Sequence, residues 1–145
     1  MNGSYFLDTN VLVYTFDSRS PRKRDQAQKW VAQALERRQG VISYQVVQEF
    51  LNVALRKFAN PLSAAEAVLY LHKVLMPLCK VFPSETLFAD ALSVTDDTGW
   101  SWYDSLIVSS AAAADCSVLL SEDLQPGRIV RGVRIQNPFA GSPEL

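Results

Sequence analysis

Short apolar segments alternate with longer amphipathic segments along the chain. Four segments, at 5–7, 41–43, 80–82 and 117–120, have the length and composition of buried strands. The segment 117–120 is continuously apolar, as is typical of parallel strands covered on both faces. A fifth strand is predicted from 128–130 together with 133–136. The pattern therefore predicts a sheet of four to five strands.

The segments between these strands have apolar residues at helical spacing. The clearest predicted helix runs from 21 to 38, and it begins with Ser20-Pro21, a cap residue followed by a proline at the first helical position. Further helices are predicted at 45–59, 63–76, 84–97 and 103–115, with a short one after Asp8. Strands that alternate with helices favour an α/β fold, in which helices flank a central, mostly parallel sheet as a three-layer sandwich.

Composition narrows the class of protein. The chain has 145 residues, of which 48% are hydrophobic and 20% charged, values typical of one globular domain that spans 1–145. No apolar stretch approaches the length of a membrane span, and the first residues lack the basic start of a signal peptide. We therefore expect a soluble, cytoplasmic protein that does not contact a membrane.

The cysteines and the single histidine exclude other classes of site. Cys79 and Cys116 both lie among apolar residues, so we expect reduced thiols in the core. With His72 as the only histidine, a zinc site of the Cys/His type is not expected. No glycine-rich loop follows the first predicted strand, which argues against a dinucleotide-binding domain.

Four acidic residues lie where a solvated surface charge is not the natural interpretation. Asp8 follows the first strand and Asp123 follows the fourth, and the carboxyl ends of parallel strands meet at one edge of a sheet. Glu49 lies at the border of the apolar face of its helix, with no Lys or Arg three or four residues away. Asp104 lies on a largely apolar helix, which is expected to be buried, and a buried carboxylate needs a compensating cation or hydrogen bonds.

Each of these residues also has a purely structural interpretation. Asp8 could serve only as the N-cap of a short helix, and Asp104 could complete a capping box with Ser101. Asp123 could belong to a polar turn before Pro126, and Glu49 could be a solvated charge. The functional interpretation gains weight because the four positions are expected to converge.

Clustered carboxylates favour a divalent cation, because like charges in proximity raise one another's pKa. Oxygen ligands without His or Cys select Mg²⁺ or Mn²⁺ over zinc or copper. A bound Mg²⁺ supplies an activated water and polarises a phosphate oxygen, which suits phosphodiester hydrolysis. A phosphatase of the haloacid-dehalogenase type is a weaker alternative, because its second Asp is replaced here by Asn10.

Five segments resemble the motifs of PIN-domain nucleases, and in particular the VapC-type toxins of bacterial toxin–antitoxin pairs. The opening Phe-Leu-Asp-Thr-Asn-Val-Leu-Val-Tyr at 6–14 resembles the first motif of this family. The segments 45–52, 101–108 and 120–125 resemble the second, third and fourth motifs, and 132–139 is similar to a common ending. Four motifs in order at suitable spacing make the resemblance specific, and it spans nearly the whole chain.

The resemblance implies a metal-dependent endoribonuclease that is inhibited by a cognate antitoxin and is often a homodimer. It implies Mg²⁺ as cofactor, which Mn²⁺ can replace. The acidic positions of the family match Asp8, Glu49, Asp104 and Asp123 as catalytic residues, with Asp8 and Asp104 as metal ligands. Thr9 and Asn10 are the expected supporting residues.

One departure from the family concerns the number of metal ions. Many members have a further acidic residue shortly after the fourth motif position, where this chain has Gln125 and Pro126. The ligand set for a second metal ion is therefore incomplete, and Glu122 is a candidate partial substitute. A PIN-like scaffold that binds RNA without cutting it is the non-enzymatic alternative, and it would require the loss of site carboxylates.

Basic residues near the first motif are candidate RNA contacts. The formal net charge of −1 does not itself indicate nucleic-acid binding. A basic cluster follows the first motif, however, and we expect it to flank the cleft and contact phosphates. It consists of Arg19, Arg22, Lys23 and Arg24. The alternative is that these side chains form an ordinary solvated face.

Overall fold

The computed structural model describes residues 3–141, in which six strands form one sheet. They are β1 (Ser4–Leu7), β2 (Gly40–Ser43), β3 (Cys79–Val81), β4 (Cys116–Leu120), β5 (Ile129–Val130) and β6 (Val133–Gln136). Their order across the sheet is β3-β2-β1-β4-β6-β5, and each neighbouring pair is parallel except β5 with β6. The predicted α/β class with a mostly parallel sheet is confirmed.

The sheet is wider than the predicted four to five strands, because the last two segments form separate antiparallel strands. They are joined by Arg131 and Gly132, whose φ angles are +52° and +78°. Two positive φ values in a two-residue loop are typical of the tight hairpin turns that match the twist of the strands. An arginine at such a position is uncommon, so the sequence signal for this turn was weak.

Seven helices pack around the sheet in the described part of the chain. They are α1 (Thr9–Tyr14), α2 (Pro21–Arg37), α3 (Tyr44–Arg56), α4 (Ala64–Tyr70), α5 (Met76–Leu78), α6 (Glu85–Thr98) and α7 (Trp102–Ala113). The predicted helix at 63–76 is not regular, because a π-helical turn, Leu71–Leu75, joins α4 to α5. Pro77 is the second residue after this turn, and in a regular helix its ring would clash with the carbonyl of Lys73.

The core is built around the central strand β1. Tyr5, Phe6 and Leu7 are fully buried, and the edge of the Tyr5 ring packs against Trp30 of α2 with their centroids 5.4 Å apart. Both cysteines are buried and unpaired, as predicted. Within residues 3–141, no helix has both the length and the hydrophobicity that crossing a membrane requires.

The order of the strands determines where the first and fourth motifs meet. Strands β1 and β4 are parallel neighbours, with Leu7 paired to Leu120 at their carboxyl ends. The next residue after β1 continues this pairing, because the Asp8 N–H donates to the Leu120 carbonyl at 3.0 Å. The segments 8–10 and 121–123 therefore leave the sheet side by side.

Candidate active site

A pocket of about 320 Å³ lies beside the ends of β1 and β4. All four predicted acidic residues line it, and they come from four different parts of the chain. Asp8 precedes α1, Glu49 is on α3, Asp104 is in the first turn of α7 and Asp123 follows β4. The convergence expected from the sequence is therefore present in the structure. We call this pocket the acidic pocket.

Asp8 is held by two hydrogen bonds from uncharged donors. One carboxylate oxygen accepts from the backbone N–H of Thr9 at 2.8 Å, so Asp8 does cap α1 as the structural interpretation predicted. The other oxygen accepts from the hydroxyl of Ser121, a fully buried residue, at 2.8 Å. Capping and pocket lining are thus combined in one side chain.

The surroundings of Asp8 disfavour its charge. The pKa of this carboxyl is raised from 3.8 to about 6; burial is the largest cause, the hydrogen bonds from Ser121 and Thr9 oppose it, and the negative charges of Asp123 and Glu49 add to the rise. The two hydrogen bonds therefore do not compensate fully for the loss of water around the ionised Asp8 carboxylate. A cation in the pocket would relieve this cost.

Glu49 is oriented by residues from two helices. The Thr9 hydroxyl donates to one oxygen at 2.6 Å, and the Gln45 side-chain amide donates to the other at 3.2 Å. The same Gln45 amide nitrogen also donates to the Tyr103 carbonyl at 3.3 Å, which links α3 to the start of α7. Thr9, a predicted supporting residue, therefore contacts Glu49 directly, whereas the contacts of Gln45 were not predicted.

Gln45 carries a sequence signal that can be recognised afterwards. It lies one helical turn before Glu49, on the face of α3 that reaches the pocket, and it is only 3% exposed. A glutamine at a buried helical position has to be explained by hydrogen bonds. Its two donor contacts supply that explanation for the side-chain nitrogen, whereas its Oε1 is buried without a hydrogen-bond partner among the described residues.

Asp104 is less buried than the apolar composition of its helix predicted. Helix α7 is buried from Ser105 to Ala111, but Asp104 belongs to its first turn and is partly exposed. Its backbone N–H donates to the Ser101 hydroxyl at 3.2 Å, which is one half of the capping box. The carboxylate itself lines the acidic pocket, so the cap does not account for the side chain.

Asp123 is exposed at the mouth of the pocket. Its backbone N–H donates to the Ser121 hydroxyl at 3.2 Å, and one carboxylate oxygen accepts from the Asn10 amide at 2.6 Å. Burial raises the pKa of Asp123, and the charges of Glu122 and Asp104 raise it further, against the bond from Asn10. Asn10 therefore holds the 121–123 segment against α1.

Glu122, the candidate substitute for a missing acidic residue, lies outside the residues that line the acidic pocket. Its carboxylate accepts from the Tyr14 hydroxyl at 2.8 Å and forms an ion pair with Lys23. Burial raises the pKa of Glu122, but the bonds from Lys23 and Tyr14 outweigh burial and the pKa is lowered overall. These contacts point to an anchor for the loop rather than a ligand.

The predicted basic cluster is divided between different partners. The Arg22 guanidinium donates to the Phe139 carbonyl at 2.7 Å, and Lys23 is paired with Glu122. Arg24 lies 3.3 Å from Asp25, and Arg19 lies 3.0 Å from Asp17. None of these four residues lines the acidic pocket, and their contact with RNA stays a prediction.

The lining of the acidic pocket fits a hard divalent cation by its chemistry. Its donors are carboxylate, amide and hydroxyl oxygens, with no His or Cys among the lining residues. No three acidic, His or Cys side chains within residues 3–141 stand close enough to form a complete ligand set. A cation would therefore draw the carboxylates together and keep part of its water shell, as Mg²⁺ usually does.

Comparison with protein families identifies the fold family of this chain. The family model of the PIN domain matches residues 5–131, which covers most of the sequence and all four acidic positions. The chain belongs to the PIN-domain family, whose members are generally nucleases and generally use divalent metal ions. A comparison with curated protein sequences gave no match.

Solved structures with the same fold were found among bacterial complexes. A toxin–antitoxin complex from Klebsiella pneumoniae has a chain that is 18% identical, with a TM-score of 0.65, covering 93% of this chain and 98% of that one. FitAcB from Neisseria gonorrhoeae is 19% identical, with a TM-score of 0.60 and the same coverage. FitAB bound to an IR36 DNA fragment is 20% identical, with a TM-score of 0.62, covering 95% and 97%. At these identities the similarity shows the fold.

Proposed function

We propose that this protein is a metal-dependent endoribonuclease that hydrolyses RNA phosphodiester bonds. The observation that carries the proposal is the convergence of Asp8, Glu49, Asp104 and Asp123 on one pocket. Such a concentration of negative charge is unfavourable for folding and is understandable if the charge has a ligand. In a PIN domain, the ligand that fits this chemistry is a divalent cation.

In this proposal Asp8 and Asp104 hold Mg²⁺, or Mn²⁺ in its place, and Glu49 and Asp123 complete the negative surroundings. The cation would polarise a phosphate oxygen and lower the pKa of a bound water. Thr9 keeps Glu49 directed into the pocket, and Asn10 keeps Asp123 at its mouth. Ser121 fixes the Asp8 carboxylate while leaving its charge intact.

We further propose that the chain is the toxin of a type II toxin–antitoxin pair and acts in the cytoplasm. The proposal is supported by the solved structures with this fold, among them a toxin–antitoxin complex, together with the motif resemblance. A cognate antitoxin and a homodimer belong to the same proposal, as does a single domain over 1–145. An adjacent gene for a small DNA-binding protein would support the assignment.

The nuclease proposal is tested with purified protein and a mixture of labelled single-stranded and structured RNAs. We expect cleavage with Mg²⁺ or Mn²⁺ and none with EDTA. The variant Asp104→Asn should lose activity, since it keeps the size and the backbone cap of the residue but removes the charge. Asp90→Asn, on the exposed surface of α6, is the matched control and should retain full activity.

The outcomes separate the enzyme from the non-enzymatic alternative. Cleavage that persists after exhaustive chelation would contradict the metal dependence. RNA binding without cleavage under all metal conditions would favour a scaffold that binds RNA but does not cut it. For the toxin assignment, expression of the wild type should arrest bacterial growth, Asp8→Asn should not, and co-expression of the adjacent gene product should restore growth.

A further inference from the structure

A second pocket, of about 480 Å³, lies directly beside the acidic pocket. It lies between the loop that follows α1 and the end of α3, and we call it the aromatic pocket. Val53 lines both pockets, so they share a wall. Glu49 and Val53 on α3 and Lys57, the residue that caps its C-terminus, follow one another at intervals of four residues. This row of side chains leads from one pocket to the other over about 12 Å.

The aromatic pocket contains a partly exposed aromatic ring. Phe16 is 40% exposed although it packs against Phe58, with their ring centroids 5.1 Å apart. Its position is supported from behind by Phe50 and Tyr70, at 5.9 and 5.4 Å between centroids. An exposed phenylalanine held by three other rings is a rigid surface, and nucleobases stack on such rings at a low cost in conformational entropy.

The charge at this pocket favours an anion. Asp17 is part of the lining, but Arg19 neutralises it through a contact of 3.0 Å. Lys57 is exposed and makes no ion pair with any residue of 3–141. The uncompensated charge of the lining is therefore one positive charge, at the end opposite the acidic pocket. Ser18 and Asn60 add polar groups for hydrogen bonding.

We infer that the aromatic pocket binds a nucleotide of single-stranded RNA that lies next to the phosphodiester bond cleaved in the acidic pocket. Phe16 stacks on the base, and Lys57 contacts a phosphate. This inference rests on the proposed function, because it places the nucleotide next to the bond that is cleaved in the acidic pocket. The shared wall at Val53 gives the bound strand its path between the two pockets. Duplex RNA is excluded from this contact, since its bases are already stacked on each other.

The test measures binding of a short, labelled, single-stranded oligoribonucleotide of mixed sequence in EDTA, where cleavage is prevented. Phe16→Leu keeps the apolar volume but removes the ring, and should weaken binding about tenfold. Lys57→Gln should lower the slope of log affinity against log salt by about 0.7, the value for one lost phosphate contact on a single strand. Phe82→Leu and Lys29→Gln are matched exposed controls that line neither pocket, and should bind as the wild type does.

The outcomes distinguish this inference from the nuclease proposal. RNA cleavage by the wild type with unchanged binding and KM in both variants would overturn the inference and leave the nuclease standing. Weakened binding in both variants, in a protein that never cleaves RNA, would support the pocket and overturn the nuclease. Variants that lose only the binding of a protein partner would assign the pocket to that partner and overturn the inference. If Phe16→Leu does not fold, Lys57→Gln decides.

Discussion

Replacing Asp8 by Asn should stabilise the metal-free protein while it abolishes activity. The structure keeps this carboxyl in surroundings that raise its pKa from 3.8 to about 6. At neutral pH the folded protein therefore contains an ionised group that the fold disfavours. Asparagine has the same shape without the charge, and its oxygen can still accept from the Thr9 N–H.

The expected change in the free energy of unfolding follows from the raised pKa of Asp8 and from the loss of one hydrogen bond. A rise from 3.8 to about 6 corresponds to about 3 kcal/mol against the ionised form, which is an upper limit because the pocket is open to water. The substitution also reverses one contact, because Ser121 now donates to Asp8 and would face an amide N–H instead. Leaving the buried Ser121 proton without an acceptor costs about 1 kcal/mol or more. We expect a net gain of about 1 to 2 kcal/mol, or about 2 to 8 °C in Tm.

The raised pKa of Asp8 also predicts at which pH the variant is more stable than the wild type. A carboxyl whose pKa is raised in the folded state retains its proton in the native protein at a pH where the unfolded chain has lost it. The penalty is therefore absent below about pH 4, grows between about pH 4 and 6, and is complete above that range. Asp8→Asn should be more stable than the wild type at pH 7.5 and no more stable at pH 4.

The assay is urea unfolding at both pH values, in EDTA and in excess Mg²⁺, with Asp90→Asn as the exposed control. Mg²⁺ should stabilise the wild type more than Asp8→Asn, because a ligand that binds the native state raises the free energy of unfolding by an amount that increases with the logarithm of its affinity. The control should differ from the wild type by less than about 0.5 kcal/mol. The reasoning is refuted if Asp8→Asn is less stable than the wild type at pH 7.5 in EDTA, or if the difference does not change with pH.

Three further outcomes are expected. Mg²⁺ should bind more weakly at pH 5 than at pH 7.5 in calorimetry, because the proton on Asp8 has to leave; equal affinities would contradict this. Thr9→Val should lower kcat while leaving Tm nearly unchanged, because it frees Glu49 from its 2.6 Å hydrogen bond. Steady-state kinetics and a melting curve of the same variant measure the two effects. Glu122→Gln should retain most of the cleavage rate and lose less than about 1 kcal/mol, since its pair with Lys23 is partly exposed, whereas Asp123→Asn should lose cleavage.

The convergence of Asp8 and Asp123 could be predicted from the sequence, because each follows a strand that the sequence itself indicates. Asp8 comes directly after one buried strand and Asp123 soon after another, so the topology of a parallel sheet was sufficient to bring them together. The hydrogen-bond donors were harder to predict. Ser121 and Asp8 are separated by 113 positions, and their contact depends on the pairing of β1 with β4.

The basic residues of α2 show that adjacency in the sequence does not predict the partner of each side chain. Arg22, Lys23 and Arg24 are consecutive on α2, and a helix directs consecutive side chains about 100° apart. Arg22 therefore reaches the Phe139 carbonyl, while Lys23 reaches Glu122. Adjacent basic residues of this helix thus have different hydrogen-bond partners, although Arg22 and Lys23 both contact Phe139. Residues spaced by four, such as Glu49 and Val53, share one side of a helix.

The donors around the acidic pocket explain why its negative charge is retained. Thr9, Asn10 and Ser121 each donate to one of its carboxylates, and all three are uncharged. An arginine or lysine in the same place would have stabilised the fold by neutralising the cluster, and no such residue is among those that line the pocket in the described chain. Neutral donors orient the oxygens and leave the charge available for a cation, and the stability cost expected at Asp8 is the consequence of that arrangement.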